Sequence, residues 1–221
     1  MAAQPKGSTV TTAFVTPAQL ASVLTLRKSA STDSVTPAIG VIRVEIDDAA
    51  RTLTAVSTDR YRVTRLVLPL QGDDTATGGV FFFHPSELET VVKAAGKDYL
   101  NAPLIKVHSP LEAEMGVTLE LIHTGTSFMA APYRANFPPV ERLMDGERPD
   151  DLPSGIALKG SFLAALKELR FPGETPRKAA DAAWKLSTKA TANGKPGPVM
   201  FQRESGKSTL EYFLQPNLLL S

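Results

Sequence analysis

The sequence predicts an α+β fold made of three copies of one β-α-β-β-β unit. Three observations predict it: a short helix start that recurs three times, a β-patterned run ahead of each start, and three β-patterned runs behind it. Self-similarity of this kind marks a repeated supersecondary unit. The helix starts are Thr16-Pro17-Ala18-Gln19-Leu20-Ala21-Ser22-Val23-Leu24, His84-Pro85-Ser86-Glu87-Leu88-Glu89-Thr90-Val91-Val92 and Lys159-Gly160-Ser161-Phe162-Leu163-Ala164-Ala165-Leu166-Lys167. Each carries Pro or Gly, a small residue, then aliphatic residues at i and i+3, which lie on one helix face. Proline suits a first helical position because its φ is already helical and no needed donor is lost. Each helix is expected to be about three turns long.

Unit one opens with a β-like run at 11–15 and continues after its helix with runs at 40–46, 52–58 and 62–68. Unit two has 80–83 ahead of its helix and 104–108, 117–123 and 127–133 behind it. Unit three has 155–158, then 184–189, 198–202 and 210–214. Turn formers separate the runs: Asp47-Asp48, His123-Thr124-Gly125, Asn193-Gly194 and Ser205-Gly206. Two polar stretches punctuate the units, 72–79 and the acidic, Pro-bearing 145–154. An insertion at 171–183 follows the third helix, and its Ala-rich end predicts one helical turn.

Composition narrows the function. Of 221 residues, 43% are hydrophobic and 21% charged, ordinary for a globular chain with a real core. No apolar run reaches the roughly eighteen residues of a membrane-crossing helix, so no membrane association is expected. The first residues lack the basic-then-apolar pattern of a secretion signal. The chain has no cysteine, which excludes disulfides, thiolate nucleophiles and Cys-based metal sites and fits a cytosolic setting. The net charge is only +1, so any affinity for nucleic acid must come from charge sorted onto one surface. No catalytic constellation stands out. His84, His108 and His123 have no metal-ligand spacing, and His84 precedes a proline as a helix cap would. Neither a G-x-S-x-G motif nor a Gly-rich phosphate loop is present. Asp59, set among Arg60, Arg62 and Arg65, reads as an ion-paired carboxylate. No catalytic residue, metal or cofactor is therefore expected.

Three separated segments carry a resemblance. Thr54-Ala55-Val56-Ser57-Thr58-Asp59-Arg60-Tyr61-Arg62-Val63 resembles the A-T-D-G-x-R-L strand end of the bacterial DNA polymerase III β subunit, the DNA sliding clamp. Asn136-Phe137-Pro138-Pro139-Val140-Glu141-Arg142-Leu143 resembles that family's inter-domain F-P-D-Y-x-R-V, and Glu211-Tyr212-Phe213-Leu214-Gln215-Pro216-Asn217-Leu218-Leu219 resembles its C-terminal Y-x-x-M-P-x-R-L. The three occur in the family's order, and the resemblance covers nearly the whole chain. The resemblance implies the DNA clamp fold, with a complete clamp domain at 1–144 (units one and two), a linker at 145–154 and a half domain at 155–221 (unit three). A family subunit has six such units, so this is a shortened form, of a kind a phage or mobile element would encode.

The resemblance also implies a function and its residues. The chain would be a non-enzymatic processivity factor in DNA replication. It would encircle double-stranded DNA without sequence preference, tether a DNA polymerase or other proteins bearing a clamp-binding motif, and be placed on DNA by a clamp loader. It would work in the bacterial cytosol, at the nucleoid. The partner-peptide pocket would use Thr58, Arg60, Tyr61, Arg62, Val63, Pro138, Arg142, Leu143, Phe213, Leu214, Gln215, Pro216, Asn217 and Leu218. Arg60 stands where the family has glycine and Gln215 where it has methionine, so the groove and the motif it takes are expected to differ. The DNA-facing residues would be Arg27, Lys28, Lys93, Lys97, Lys167, Arg170, Arg177 and Lys178, giving salt-sensitive phosphate contact. Family rings close with twelve units. Three per chain gives a homo-oligomeric ring of four chains, or of three if the insertion stands in for a missing unit. The alternative is a clamp-like decoy or adaptor that binds clamp-interacting peptides without encircling DNA.

Overall fold

The computed structural model describes residues 11–70, 78–96, 105–109, 116–133, 135–144, 158–190 and 196–215. Unit one comprises β1 (Thr11–Val15), α1 (Pro17–Thr25), β2 (Ile42–Asp47), β3 (Thr52–Thr58) and β4 (Arg62–Pro69). Unit two repeats the order with β5 (Gly79–Phe83), α2 (Pro85–Ala94), β6 (Ile105–Ser109), β7 (Val117–Leu121) and β8 (Thr126–Ala130). A connecting segment carries α3 (Glu141–Met144), and unit three follows with α4 (Gly160–Leu163), α5 (Pro176–Ala180), β9 (Lys185–Ala190), β10 (Pro196–Ser205) and β11 (Ser208–Leu214).

The first two helices begin as their sequences dictate. The Thr16 hydroxyl accepts from the Gln19 N–H (3.1 Å), and the Gln19 side chain accepts from the Thr16 N–H (2.8 Å). His84 caps α2 in the same reciprocal way with Glu87, whose carboxylate takes the His84 N–H at 2.7 Å. Such boxes satisfy donors that the first turn leaves without partners. The third helix is shorter than its spacing suggests. It ends at Leu163, and a separate 3-10 turn holds Leu166–Glu168. Lys159 supplies no side-chain cap, Gly160 is a poor helix former, and the Tyr212 hydroxyl donates to the Phe162 carbonyl, the acceptor a continuing helix would give to Leu166. The predicted turn in the insertion is present as α5. The run at 155–157 and the stretch at 145–154 lie outside the described residues.

Units one and two exchange their first strands. β1 pairs with β6, placing Val15 opposite Ile105, and β5 pairs with β2, placing Phe83 opposite Ile42. The result is two antiparallel sheets, β1-β6-β7-β8 and β5-β2-β3-β4-β11-β10-β9. The second is seven strands long because β11 of unit three pairs with β4 of unit one, from Leu214–Arg62 to Thr209–Val67. Alternation along each strand sends one set of side chains to each face. Inward residues of both sheets, with α1, α2 and the half-buried apolar residues of α4, form the main core. On the opposite face of the longer sheet, Val56, Val63, Met200 and Phe213 make a second cluster, roofed by Phe137, Val140 and Met144 of the connecting segment.

Candidate partner groove and helix layer

The turn between β3 and β4 is built by Asp59. Its carboxylate accepts the N–H groups of Tyr61 and Arg62 (both 3.1 Å) and the Arg62 guanidinium (2.8 Å), as an ion-paired carboxylate should. The Thr58 hydroxyl donates to the Arg62 carbonyl at 2.8 Å. Arg60 sits at φ 79°, in the left-handed region. A side chain there costs about 1–2 kcal/mol that glycine would not incur. That is the position at which the sequence departs from a glycine motif.

β4 and β11 then divide the predicted groove residues between two faces. Val63 lies opposite Phe213, and both enter the outer cluster. Arg62 lies opposite Leu214, and both turn inward: Leu214 is 1% exposed in the main core, and Arg62 stacks on Phe162 of α4 at 4.8 Å. A charge at Leu214 would therefore break the core rather than probe a pocket. The Gln215 N–H donates to the Tyr61 carbonyl at 3.0 Å, so the chain end is held beside the turn. Tyr61 is exposed and stacks on Phe162 with ring centres 6.2 Å apart.

The connecting segment brings Pro138, Arg142 and Leu143 to the outer face. Phe82 stacks on Tyr133 at 4.0 Å and meets Phe137 at 6.1 Å, and Arg43 of β2 binds Glu141 at 3.2 Å. These contacts hold the segment over β3, β4 and β11. Leu143 stays exposed beside buried Val140 and Met144. The structure thus gathers Val63, Phe213, Pro138, Arg142 and Leu143 around the outer cluster, and Thr58, Arg60, Tyr61 and Gln215 around the adjoining turn. Pro216, Asn217 and Leu218 lie outside the described residues. Sequence reasoning missed Val56, Val140, Met144 and Met200. Met200 was detectable as the residue opposite Phe213 in the β10–β11 hairpin.

Arg62 connects the turn to unit three. Burial alone would lower its pKa, but the Tyr212 hydroxyl and Asp59 outweigh it, and the guanidinium is held above its ordinary value. Burial raises the Tyr212 phenol in turn.

The predicted DNA-facing residues sit at or after the helices, and acids meet several of them. Arg27, just past α1, binds Glu89 of α2 at 3.4 Å, and Lys93 binds the same carboxylate at 3.1 Å. These partners, Lys93 first, hold the exposed Glu89 below its ordinary pKa of 4.5. Lys28 binds Glu168 of unit three at 2.9 Å. Arg177 approaches Asp181 only to 4.0 Å and is exposed, as is Lys178. Lys167 is exposed and Arg170 half-buried, while Lys97 lies outside the described residues. Among the described residues, no group of His, Asp or Glu is placed to hold a metal, and no helix is long and apolar enough to cross a membrane.

No protein-family model matches the chain, and no curated protein matches it. Solved structures do. The DNA polymerase III β chain of Streptococcus pneumoniae TIGR4 aligns over 99% of this chain and 67% of its own, at 11% identity and a TM-score of 0.59. The β subunit of Thermotoga maritima aligns over 99% and 68%, at 12% identity and a TM-score of 0.56. A Pseudomonas aeruginosa sliding clamp bound to griselimycin aligns over 99% and 68%, at 10% identity and a TM-score of 0.57. Two β-α-β-β-β units with exchanged first strands, a third unit's helix and three strands, and a match over nearly the whole chain lead to one assignment: the chain has the sliding-clamp fold of the DNA polymerase III β subunit, over about two thirds of that subunit's length.

Proposed function

We propose that this protein is a DNA sliding clamp, a non-enzymatic processivity factor that encircles duplex DNA and tethers a polymerase or other enzymes. Residues 1–144 act as a complete clamp domain, 145–154 as a linker and 155–221 as a half domain. The observation that carries the reading is the layering: α1, α2 and α4 gather on one side of strands whose pairing runs from unit to unit. An array of that kind extends sideways, and it presents its helices, with Lys93, Lys167 and Arg170, to whatever it surrounds. Phosphate contact through such residues is independent of sequence and weakens with salt. The decisive experiment is gel filtration on plasmid. A clamp is retained on nicked circular DNA and runs off once the plasmid is linearised; equal retention on both would overturn encirclement. Loading onto intact circles would need a clamp loader. Such a protein would work in the bacterial cytosol.

The partner peptide docks on the outer cluster and the adjoining turn. Aliphatic walls around Val63, Phe213 and Leu143 bury its apolar side chains, and Arg60 and Gln215 orient its backbone or acidic groups. Leu143→Asp, at an exposed position, should abolish polymerase binding with the fold intact, judged by circular dichroism. Griselimycin, to which a matched Pseudomonas aeruginosa clamp is bound, is a probe to try in competition with the peptide. A second reading, a decoy or adaptor that captures clamp-binding peptides without encircling DNA, is favoured by one observation. Arg27, Lys28 and Lys93 are each engaged by a carboxylate. Peptide binding without retention on circular DNA would select it.

A further inference from the structure

The turn between β3 and β4 has two sides. On one, Val63 belongs to the outer cluster. On the other, Arg60, Tyr61 and Arg62 line a cleft of about 490 Å3 whose further walls are Lys159 and Phe162 of unit three and Arg27, Lys28 and part of the 30–36 segment of unit one. The cleft lies where units one and three meet. Five cations line it against two carboxylates, Asp33 and Asp59.

Three of those cations are already engaged. Arg62 binds Asp59, Arg27 binds Glu89 and Lys28 binds Glu168. Asp33 is occupied too, accepting the Val35 N–H at 2.9 Å. Arg60 and Lys159 remain, both exposed and neither paired with a carboxylate among the described residues. The wall between them is well braced. The Phe162 ring carries the Arg62 guanidinium at 4.8 Å, the Lys159 ammonium at 5.2 Å and the exposed Tyr61 ring at 6.2 Å. Arg60 is also the residue held at φ 79°, a conformation that glycine would adopt without strain. A costly backbone position kept by a charged residue is a reason to look for what the charge does.

We propose that this cleft is a carboxylate subsite for the partner peptide, in which Arg60 and Lys159 take an Asp or Glu side chain flanking the apolar anchors. The inference rests on the peptide-docking reading given above. Continuity argues for a peptide: a chain lying on Val63 and Phe213 has only the turn to cross before it meets Arg60. Charge argues for an acid. The cations that belong to the helix layer, Arg27 and Lys28, are neutralised by Glu89 and Glu168, so the excess positive charge sits on the groove side. A guanidinium can grip a carboxylate with two parallel hydrogen bonds, and a lysine adds a point charge. Glycine at position 60 offers no such group, so the acidic preference is one that the glycine motif would lack.

Selection from a random decapeptide library on the unmodified chain reads the preference directly. Peptides with apolar anchors and an adjoining Asp or Glu should enrich. The strongest of them should lose about tenfold in affinity when that acid is changed to its amide, measured by fluorescence anisotropy at about 0.1 M salt. The double variant Arg60→Gly with Lys159→Gln should lose as much. The amide peptide should bind the double variant and the unmodified chain equally, a result that a merely structural effect of the substitutions would not give. Enrichment of apolar peptides without an acid overturns the subsite and leaves the groove standing, as does an acid whose contribution survives the double variant. If no peptide enriches, or if the enriched peptides bind Leu143→Asp as tightly as the unmodified chain, the groove reading itself falls, and the subsite with it. A decathymidylate that depends on Arg60 and Lys159 where the peptides do not would overturn the proposal and make the cleft a nucleic-acid site.

Discussion

Tyr212 is fully buried, yet its hydroxyl donates to the Phe162 carbonyl at 2.7 Å and lies 3.5 Å from the Arg62 guanidinium. One phenol therefore joins β11, α4 and the turn of unit one. Tyr212→Phe removes that donor while keeping the ring, and should lower stability by about 1 kcal/mol in urea unfolding. The same group predicts a pH dependence. Burial holds its pKa above the ordinary 10.0. A raised folded-state value means the contribution is complete below the ordinary value and is lost as pH rises through the folded one. Unfolding free energy should thus fall as pH rises above about 10, and fall less in Tyr212→Phe. Arg60 supplies the opposite case. Relieving φ 79° by Arg60→Gly should leave stability unchanged or raise it by up to about 1 kcal/mol, despite the greater freedom of the unfolded chain. Thermal unfolding would show it, and a clear loss would mean that the Arg60 side chain is itself holding the turn.

Among the elements, the strands were the most legible. Thr11–Val15 and Thr52–Thr58 fall where the sequence puts them, because β-branched residues alternate between faces there and turn formers bound them. Strand ends moved by a residue or more elsewhere: β2 starts at Ile42, β8 ends at Ala130, and β10 runs on to Ser205. Hairpin pairing, which a single strand's pattern does not encode, sets those limits. The third helix misled because leucine spacing counts faces, not caps. In the groove, the Asp59–Arg62 pair could be read three residues apart, but the outer cluster could not. Its members come from β3, β4, β10, β11 and the connecting segment, and only sheet register assembles them. The β7–β8 hairpin offers a test of how tightly such register is held. Gly116 has φ 76°, and an added Cβ would lie 2.1 Å from the Ala130 carbonyl oxygen. Gly116→Ala should cost more than about 2 kcal/mol. Gly125→Ala, also at positive φ but facing open space, should cost only about 1 kcal/mol. Urea midpoints of the two variants, at equal m-values, decide it.

At the scale of the whole molecule, the helix layer is a balance of charge rather than a uniformly basic surface. Glu89 and Glu168 occupy three of the cations predicted to face DNA. The double variant Glu89→Gln with Glu168→Gln should therefore bind DNA more strongly and with a steeper dependence on salt, with little change in unfolding midpoint. Unchanged binding would place those cations away from the DNA. Twelve units at three per chain predict a native mass near four times 23.7 kDa; three times that mass would favour the insertion as a substitute unit. The seam between β4 and β11 is antiparallel and joins the last strands of two units. β8, the last strand of unit two, ends its sheet with β7 as its one neighbouring strand among the described residues, and a second β8 would meet it in the same like-with-like fashion. A ring closed entirely by such like-with-like contacts would have no front and no back. Flipping it over returns the same object, so a polymerase could engage it from either side, and the direction of travel along DNA would be set by the enzyme it carries and not by the ring.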